Sequence, residues 1–241
     1  MGNAMEPRQQ SQLPAGDAQP PAGQGQFVLY GSIVEFGLVP LAWILGWLTG
    51  LWSWKDLAAA CSHWPSLESL GWGVLATLPM LVMLLAVLRM RSQSFKRLRS
   101  FLTEGLRPHL QGSSLAGLLC LSLAAGLGEE WLFRGLLQEG LTRWWEGGSI
   151  LLVIVVVAVI FGICHWITHL YFLLATITGI YLGWLYWFSG GLVVPVLAHA
   201  LYDFTALIVI TRIEPDPELQ AALAEDPFSA GDSADRSDDQ A

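Results

Sequence analysis

Seven ionisable side chains of the kinds that bind metals or transfer protons lie in the apolar C-terminal half of the chain. A carboxylate at the middle of a bilayer costs about 2.5–3.5 kcal/mol on insertion scales, so such residues are kept mainly where they are paired, solvated or used. Two of the seven are adjacent glutamates, and we take that pair as the mark of a functional site. The seven residues are Glu129, Glu130, Arg134, His165, His169, His199 and Asp203.

Helical spacing predicts different surroundings for the two glutamates. Glu130 and Arg134 are four residues apart and share a helix face, so Glu130 has a cationic partner. Glu129 is rotated by about 100° from Glu130 and lacks that partner. We therefore expect Glu130 to be ionised and structural, and Glu129 to be free to act as a base in a site of low dielectric constant.

The histidines follow the same spacing rule. Asp203 lies one helical turn after His199, where an acid can orient the imidazole and fix its tautomer. Phe161 and His165 also share a face. His169 comes one turn after His165 and could ligate a metal with it, but its place at the end of a predicted span favours a surface role.

Glu35 is an isolated acid in the first apolar stretch. It could face the site or a pocket of water, and the sequence does not distinguish these two positions.

The composition requires these residues to be held by membrane helices. Of 241 residues, 54% are hydrophobic and 13% are charged, against about 25% charged in soluble domains. The apolar runs reach or approach the ~20 residues that cross a bilayer. We predict an all-α, polytopic transmembrane bundle with its active site inside the membrane. The six predicted spans are residues 27–51, 70–90, 114–139, 150–168, 171–188 and 191–211.

The charge pattern predicts topology rather than a charged partner. From Glu214 onward there are nine acids and one base, which accounts for the net charge of −8, so we expect no nucleic-acid partner. Half of all Lys and Arg residues lie in the linker between spans two and three. The excess of positive charge on cytoplasmic loops then predicts that both termini are cytoplasmic.

That linker could be more than a loop. Phe95, Leu98, Phe101, Leu102 and Leu106 recur at helical spacing among basic residues, which favours a short helix on the inner membrane surface. An ordinary basic loop fits equally well. The predicted organisation is a disordered segment (1–26), two spans with the basic linker (27–110), a core of four spans (111–212) and a disordered acidic tail (213–241).

Three motifs in the last four spans resemble one family. EEWLFRG (129–135) is similar to the EExxxR motif of the CPBP family of intramembrane proteases (CAAX protease and bacteriocin-processing, also called Abi). FGICH (161–165) resembles its FxxxH motif, and HALYD (199–203) its HxxxN or HxxxD motif. The resemblance covers about residues 115–210. Three motifs in order, each in its own span, are far more specific than any one of them.

The resemblance implies an intramembrane peptidase. In it, Glu129 would activate a water molecule with help from His165. His199 and Asp203 would complete the site as metal ligands or oxyanion donors, and Glu130, Arg134 and Phe161 would support it. Many relatives have Asn where this chain has Asp203, and an ionised Asp cannot donate a hydrogen bond to an oxyanion.

Zinc held by Glu129, His165 and His199 is a candidate cofactor, and a mechanism without metal is equally open. The expected partners are the lipid bilayer and a membrane protein or peptide substrate.

Two other classes of function remain open at this stage. A membrane scaffold or immunity-type protein could keep the polar cluster as inherited architecture, and buried Glu and His chains also form proton or ion pathways. The sequence identifies neither the substrate nor the oligomeric state.

One geometric problem is also visible in the sequence. Straight helices with these bounds place His165 near the cytoplasmic end and His199 in the outer half, so a shared site requires one boundary to shift by a turn or two.

Overall fold

The computed structural model describes residues 24–51 and 65–213, and the regular structure in these ranges is helical throughout. The predicted disordered segments fall almost entirely outside the described residues. The seven helices are α1 (Gln24–Leu48), α2 (Leu67–Arg89), α3 (93–110), α4 (Leu115–Trp144), α5 (Ile150–Cys164), α6 (His169–Ser189) and α7 (Val193–Arg212).

The lengths of these helices confirm an all-α membrane bundle. Five of them are long and apolar enough to cross a bilayer, namely α1, α2, α4, α6 and α7. The apolar helix α5 has 15 residues and spans about 22 Å, less than the ~30 Å of hydrocarbon. Counting α5 as a short sixth span, about six spans account for the described chain. Large apolar side chains lie exposed along α1 and α2, as expected of surfaces that face lipid.

Small residues allow α4 to pack closely against both α1 and α7. A Cβ added at Gly126 would come within 2.9 Å of the Val196 carbonyl oxygen in α7. Gly128 packs directly on the backbone carbonyl of Glu35 in α1. The two glutamates that follow these glycines are therefore held between three helices.

The middle of α4 departs from α-helical geometry. Residues Trp131–Gln138 form a π-helix, and the Glu139 N–H donates to the Arg134 carbonyl five residues back. Such segments are rare and frequently occur at functional sites. The sequence predicted a helix here but not this change of register.

Two side chains of the π segment attach α4 to α6. Arg134 Nη2 donates to the Gly179 carbonyl at 3.0 Å, and Gln138 Nε2 donates to the Gly183 carbonyl at 2.9 Å. Two donors one helical turn apart on α4 therefore bind two carbonyls one turn apart on α6. A Cβ at Gly183 would lie 2.8 Å from Gln138 Oε1. This geometry supports the interpretation of the Gly179/Gly183 pair as a close-packing motif.

The turn between α5 and α6 differs from the predicted span. α5 ends at Cys164 rather than at residue 168, and His165 follows it directly. Thr168 caps α6, and its side chain accepts a hydrogen bond from the Tyr171 N–H at 3.1 Å. Pro195 lies in the first turn of α7, where a missing N–H breaks no helical bond.

The basic linker is helical rather than an open loop. α3 comprises Gln93–Ser100, a π-helical turn (Phe101–Leu106) and Arg107–Leu110. Arg99 Nη1 donates to the carbonyls of Val87 and Met90 at the end of α2, at 2.8 and 2.7 Å. Its contact with the membrane surface stays a prediction.

Candidate active site

Glu130 and Arg134 form a fully buried ion pair. Arg134 Nη1 lies 2.8 Å from Glu130 Oε1, and neither side chain is exposed. The guanidinium also lies over the Phe161 ring, 4.9 Å from its centroid. This is the pair that the four-residue spacing predicted.

His199 contacts Glu130 as well. Its Nδ1–H donates to the same Oε1 atom at 2.8 Å, and its Nε2 lies 3.5 Å from Asp203 Oδ2. The carboxylate that binds His199 is therefore Glu130, and His199 also lies within electrostatic range of Glu129. The reason is that α7 packs on α4 through Gly126, which brings His199 to the Glu130 face. We call Glu130, Arg134 and His199 the Glu130 cluster.

Glu129 faces His165 across a longer gap. Glu129 Oε1 and His165 Nε2 are 3.6 Å apart, beyond an ordinary hydrogen bond. His165 Nδ1–H donates to the Phe161 carbonyl at 2.8 Å, which leaves Nε2 of the neutral ring as an acceptor. Two acceptors at this distance leave room for a shared proton or a bridging water. These two residues are called the Glu129–His165 pair below.

The second oxygen of Glu129 is unsatisfied. Oε2 is buried and has no hydrogen-bond partner within the described part of the chain. Buried polar atoms are nearly always hydrogen-bonded, and an exception calls for a missing water, ion or substrate group. Glu130 Oε2 is unpartnered as well, but Arg134 and His199 bind that carboxylate through Oε1. Of the two oxygens, Glu129 Oε2 is therefore the better placed to activate a water molecule.

Phe161 joins the two parts of the site. Its ring centroid lies 4.4 Å from that of His165 and 6.2 Å from that of His199. Both histidines therefore lie at a similar depth, which the straight-helix expectation did not allow. The early end of α5 at Cys164 makes this possible, because His165 belongs to a turn rather than to a continuing helix.

Glu35 belongs to the same neighbourhood. It lies within electrostatic range of Glu129, Asp203 and both site histidines. Its Oε2 is buried without a hydrogen-bond partner among residues 24–51 and 65–213. Of the two positions left open by the sequence, the structure thus supports the one facing the site. His169 is exposed, and its ring lies 5.5 Å from Trp166, away from the cluster.

Tyr171 is a neighbour that the sequence did not single out. Its ring centroid lies 6.3 Å from that of His165, and it is within electrostatic range of Asp203 and Glu129. One tyrosine among many aromatic residues carries no signal. The turn between α5 and α6 also breaks the helical spacing that would have linked it to His165.

The described side chains do not fit a metal ion as they are arranged. No group of three or more His, Cys, Asp or Glu residues in 24–51 and 65–213 has the geometry to hold one. His199 Nδ1 is committed to Glu130, and only its Nε2, facing Asp203, could turn to a ligand. Zinc on Glu129, His165 and His199 stays a prediction from the sequence.

A cavity of about 1280 Å³ lies elsewhere, between α2, α4, α6 and α7. Trp72, Leu127, Trp131 and Tyr181 are among its lining residues, and none of the acids or histidines of the site reaches it. We therefore place the chemistry at the carboxylates and not in this apolar space.

Comparison with known proteins agrees with the geometry. Residues 111–205 match the family model described as "Rce1-like: Type II CAAX prenyl endopeptidase Rce1-like". No curated protein and no solved structure matches the chain. The matched region contains the site residues of α4 to α7, and α1 with Glu35 lies outside it. This region carries the EExxxR, FxxxH and HxxxD residues and folds them into one cluster. The match confirms that residues 111–205 are similar to the CPBP family, to which the Rce1-like endopeptidases belong.

Proposed function

We propose that this protein is an intramembrane endopeptidase that hydrolyses a peptide bond of a membrane-associated protein or peptide, with Glu129 as the general base. One observation carries the proposal. Glu129 has a buried, unpartnered oxygen beside His165, whereas Glu130, the adjacent residue, is neutralised by Arg134 and His199. Both carboxylates keep one unpartnered oxygen, but Glu129 has no arginine bound to it and is therefore the better proton acceptor of the two.

The steps follow from these atoms. A water held by Glu129 Oε2 loses a proton to that carboxylate while its oxygen bonds to the carbonyl carbon of the substrate. His165 Nε2 can share the proton across the 3.6 Å gap. When the C–N bond breaks, Glu129 returns the proton to the leaving amine. Each proton is accounted for, and no step passes through a metal.

The Glu130 cluster supports this chemistry without exchanging protons with the substrate. It fixes the position of His199 and places the Glu130–Arg134 ion pair, whose charges cancel, next to Glu129. A preorganised polar cluster of this kind needs no reorganisation as charge develops in the transition state.

The test uses purified protein in detergent or liposomes. A peptide ending in a CAAX sequence is offered with and without a farnesyl group, and cleavage is followed by mass spectrometry. We expect wild-type protein to cut at least one of the two, and Glu129→Gln and His165→Ala to lose the activity. If both variants cleave the peptide as fast as the wild-type protein does, the proposal is overturned. Proton flux in liposomes that both substitutions abolish, without peptide cleavage, would favour a proton pathway instead.

The zinc prediction has its own test. Elemental analysis of the purified protein, before and after chelation, is combined with the same cleavage assay. One zinc per chain, lost together with activity, would require Glu129, His165 and His199 to rearrange around the ion.

The proposal includes an orientation with both termini in the cytoplasm. It is supported by the basic residues of α3 and by an even number of spans. Reporter fusions at residue 1 and at residue 241 test it, and opposite signals from the two ends would contradict it.

A further inference from the structure

The proposed hydrolysis needs a hydrogen-bond donor that the predicted site residues do not provide freely. Attack of water on the carbonyl carbon puts negative charge on the carbonyl oxygen, and donors aimed at that oxygen lower the barrier. The usual donors of this site are already engaged. Arg134 binds Glu130 through Nη1 and the Gly179 carbonyl through Nη2, and its remaining donor, Nε, is buried within the Glu130 cluster. An ionised Asp203 can only accept.

The histidines are committed in the same way. His165 Nδ1 donates to Phe161, and His199 Nδ1 donates to Glu130. Their Nε2 atoms face carboxylates, at 3.6 Å from Glu129 and 3.5 Å from Asp203. A side-chain donor just outside the three motifs would therefore complete the site.

Tyr171 has the position and the free O–H that are needed. Its backbone is fixed by the Thr168 cap, and its ring lies next to that of His165. It is half-buried, and its hydroxyl makes no hydrogen bond with residues in the described ranges. Its electrostatic neighbours are Asp203 and Glu129, the proposed general base.

Other tyrosines fit less well. The hydroxyl of Tyr181 donates to the Ala76 carbonyl at 2.9 Å, and that of Tyr186 to Glu139 at 3.2 Å. Tyr202 also lies near Asp203, but it packs against the apolar cluster that contains Met80 and Leu182. Tyr30 is 62% exposed on α1.

We propose that Tyr171 is a catalytic residue that donates its phenolic hydrogen bond to the oxyanion, in the role that an ionised Asp203 cannot fill. The inference rests on the proposed endopeptidase function. Tyr171 keeps its proton throughout. The water proton goes to Glu129 and then to the leaving amine, so the balance of the reaction is unchanged.

The first experiment is Tyr171→Phe, which removes only the hydroxyl. We expect kcat to fall by about 10²–10³-fold, the usual cost of one oxyanion donor, with KM nearly unchanged. Tyr181→Phe is the matched control on the same helix and should keep wild-type kcat. Tyr202→Phe asks whether any hydroxyl near Asp203 would serve, and loss of activity there with full activity in Tyr171→Phe would overturn the inference.

The second experiment supplies a replacement donor. Asp203→Asn introduces a side-chain amide, so Tyr171→Phe should cost several-fold less in that background than in wild type. Equal costs in the two backgrounds would refute the idea that Tyr171 compensates for Asp203.

A third measurement applies if Tyr171→Phe folds poorly, because it compares two affinities of the same variant. A peptidyl phosphonate, which carries the charge of the oxyanion, should lose more affinity for Tyr171→Phe than the uncleaved peptide does. Equal losses would count against the inference.

The inference and the proposed function can fail separately. If Glu129→Gln cleaves as well as wild type, the endopeptidase proposal fails. If Glu129→Gln is inactive and Tyr171→Phe keeps kcat within about threefold, about 0.65 kcal/mol, only the role of Tyr171 fails.

Discussion

The Glu130 cluster and the Glu129–His165 pair begin at adjacent residues but differ in how closely their carboxylates are bound. In the cluster, one carboxylate oxygen receives two charged or polar donors at 2.8 Å, and the ion pair is inaccessible to solvent. In the pair, the nearest contact of the carboxylate is 3.6 Å. Oε2 has no partner in either glutamate, so the two residues differ at Oε1. The difference teaches that an intramembrane acid becomes structural when a buried cation neutralises it, and stays available for chemistry when its closest partner is a histidine across a gap.

The sharpest test of this contrast is Glu129→Gln beside Glu130→Gln. We expect Glu129→Gln to reduce kcat by about 10²–10⁴-fold, as loss of a general base does, with the unfolding temperature in detergent nearly unchanged. Glu130→Gln should mainly lower that temperature. Glu139→Gln is the control, because its partner Arg143 is a half-exposed neighbour away from the site. Similar profiles for the Glu129 and Glu130 variants would break the comparison.

Arg134→Met tests the charge balance of the cluster. It leaves Glu130 buried without its cation, which typically destabilises a protein by about 3–5 kcal/mol. Reversible unfolding in mixed micelles measures the loss. The double variant Glu130→Gln/Arg134→Met removes both charges and should recover part of it. A single variant as stable as wild type would show that the buried pair contributes nothing to assembly.

Gly128→Ala tests how α1 is held beside Glu129. The added Cβ collides with the Glu35 carbonyl, so the helices must separate, at a cost of about 1–3 kcal/mol for overpacking. We expect a lower unfolding temperature and reduced cleavage. Gly37→Ala is the control in α1, where a Cβ meets no atom within 4 Å; it should be neutral or stabilise by about 0.4–1 kcal/mol. The same loss for both glycines would mean that the contact with Glu35 is not special.

The smallest effect is expected for Glu35→Gln. Glu35 affects Glu129 through space, not through a hydrogen bond, so we expect a few-fold change in kcat/KM and little change in stability. Cleavage assays with Glu68→Gln, an acid at the start of α2, provide the control. Complete inactivation would place Glu35 among the catalytic residues and would require the site to be enlarged.

The parts of the site that the sequence predicted are those encoded within one helix. The Glu130–Arg134 and His199–Asp203 relationships both follow from four-residue spacing, and both residue pairs face each other in the structure. Apolar length likewise predicted the spans. Contacts between helices could not be predicted in this way, because they depend on how the helices cross. The hydrogen bond from His199 to Glu130 depends on how α7 crosses α4 at Gly126, which spacing along the chain does not encode.

The remaining misses have local causes. α5 ends before Trp166 and Ile167, although both are apolar and extend the hydropathy signal, because the chain turns at His165 and Thr168 caps the next helix. Tyr171 follows that turn, where helical periodicity no longer applies. Glu35 was visible as an anomaly, but no pattern on α1 could connect it with a site on α4.

The π-helix of α4 has a consequence for how relatives should be aligned. Each hydrogen bond that runs five residues back encloses one more residue than an α-helical bond does. A relative with a regular helix here would be shorter by one residue within 131–138, while its Glu pair and the C-terminal end of its helix stayed in place. A one-residue gap in the alignment would therefore mark a relative without the π-helix. It would separate proteins that hold α6 through Arg134 and Gln138 from those that do not.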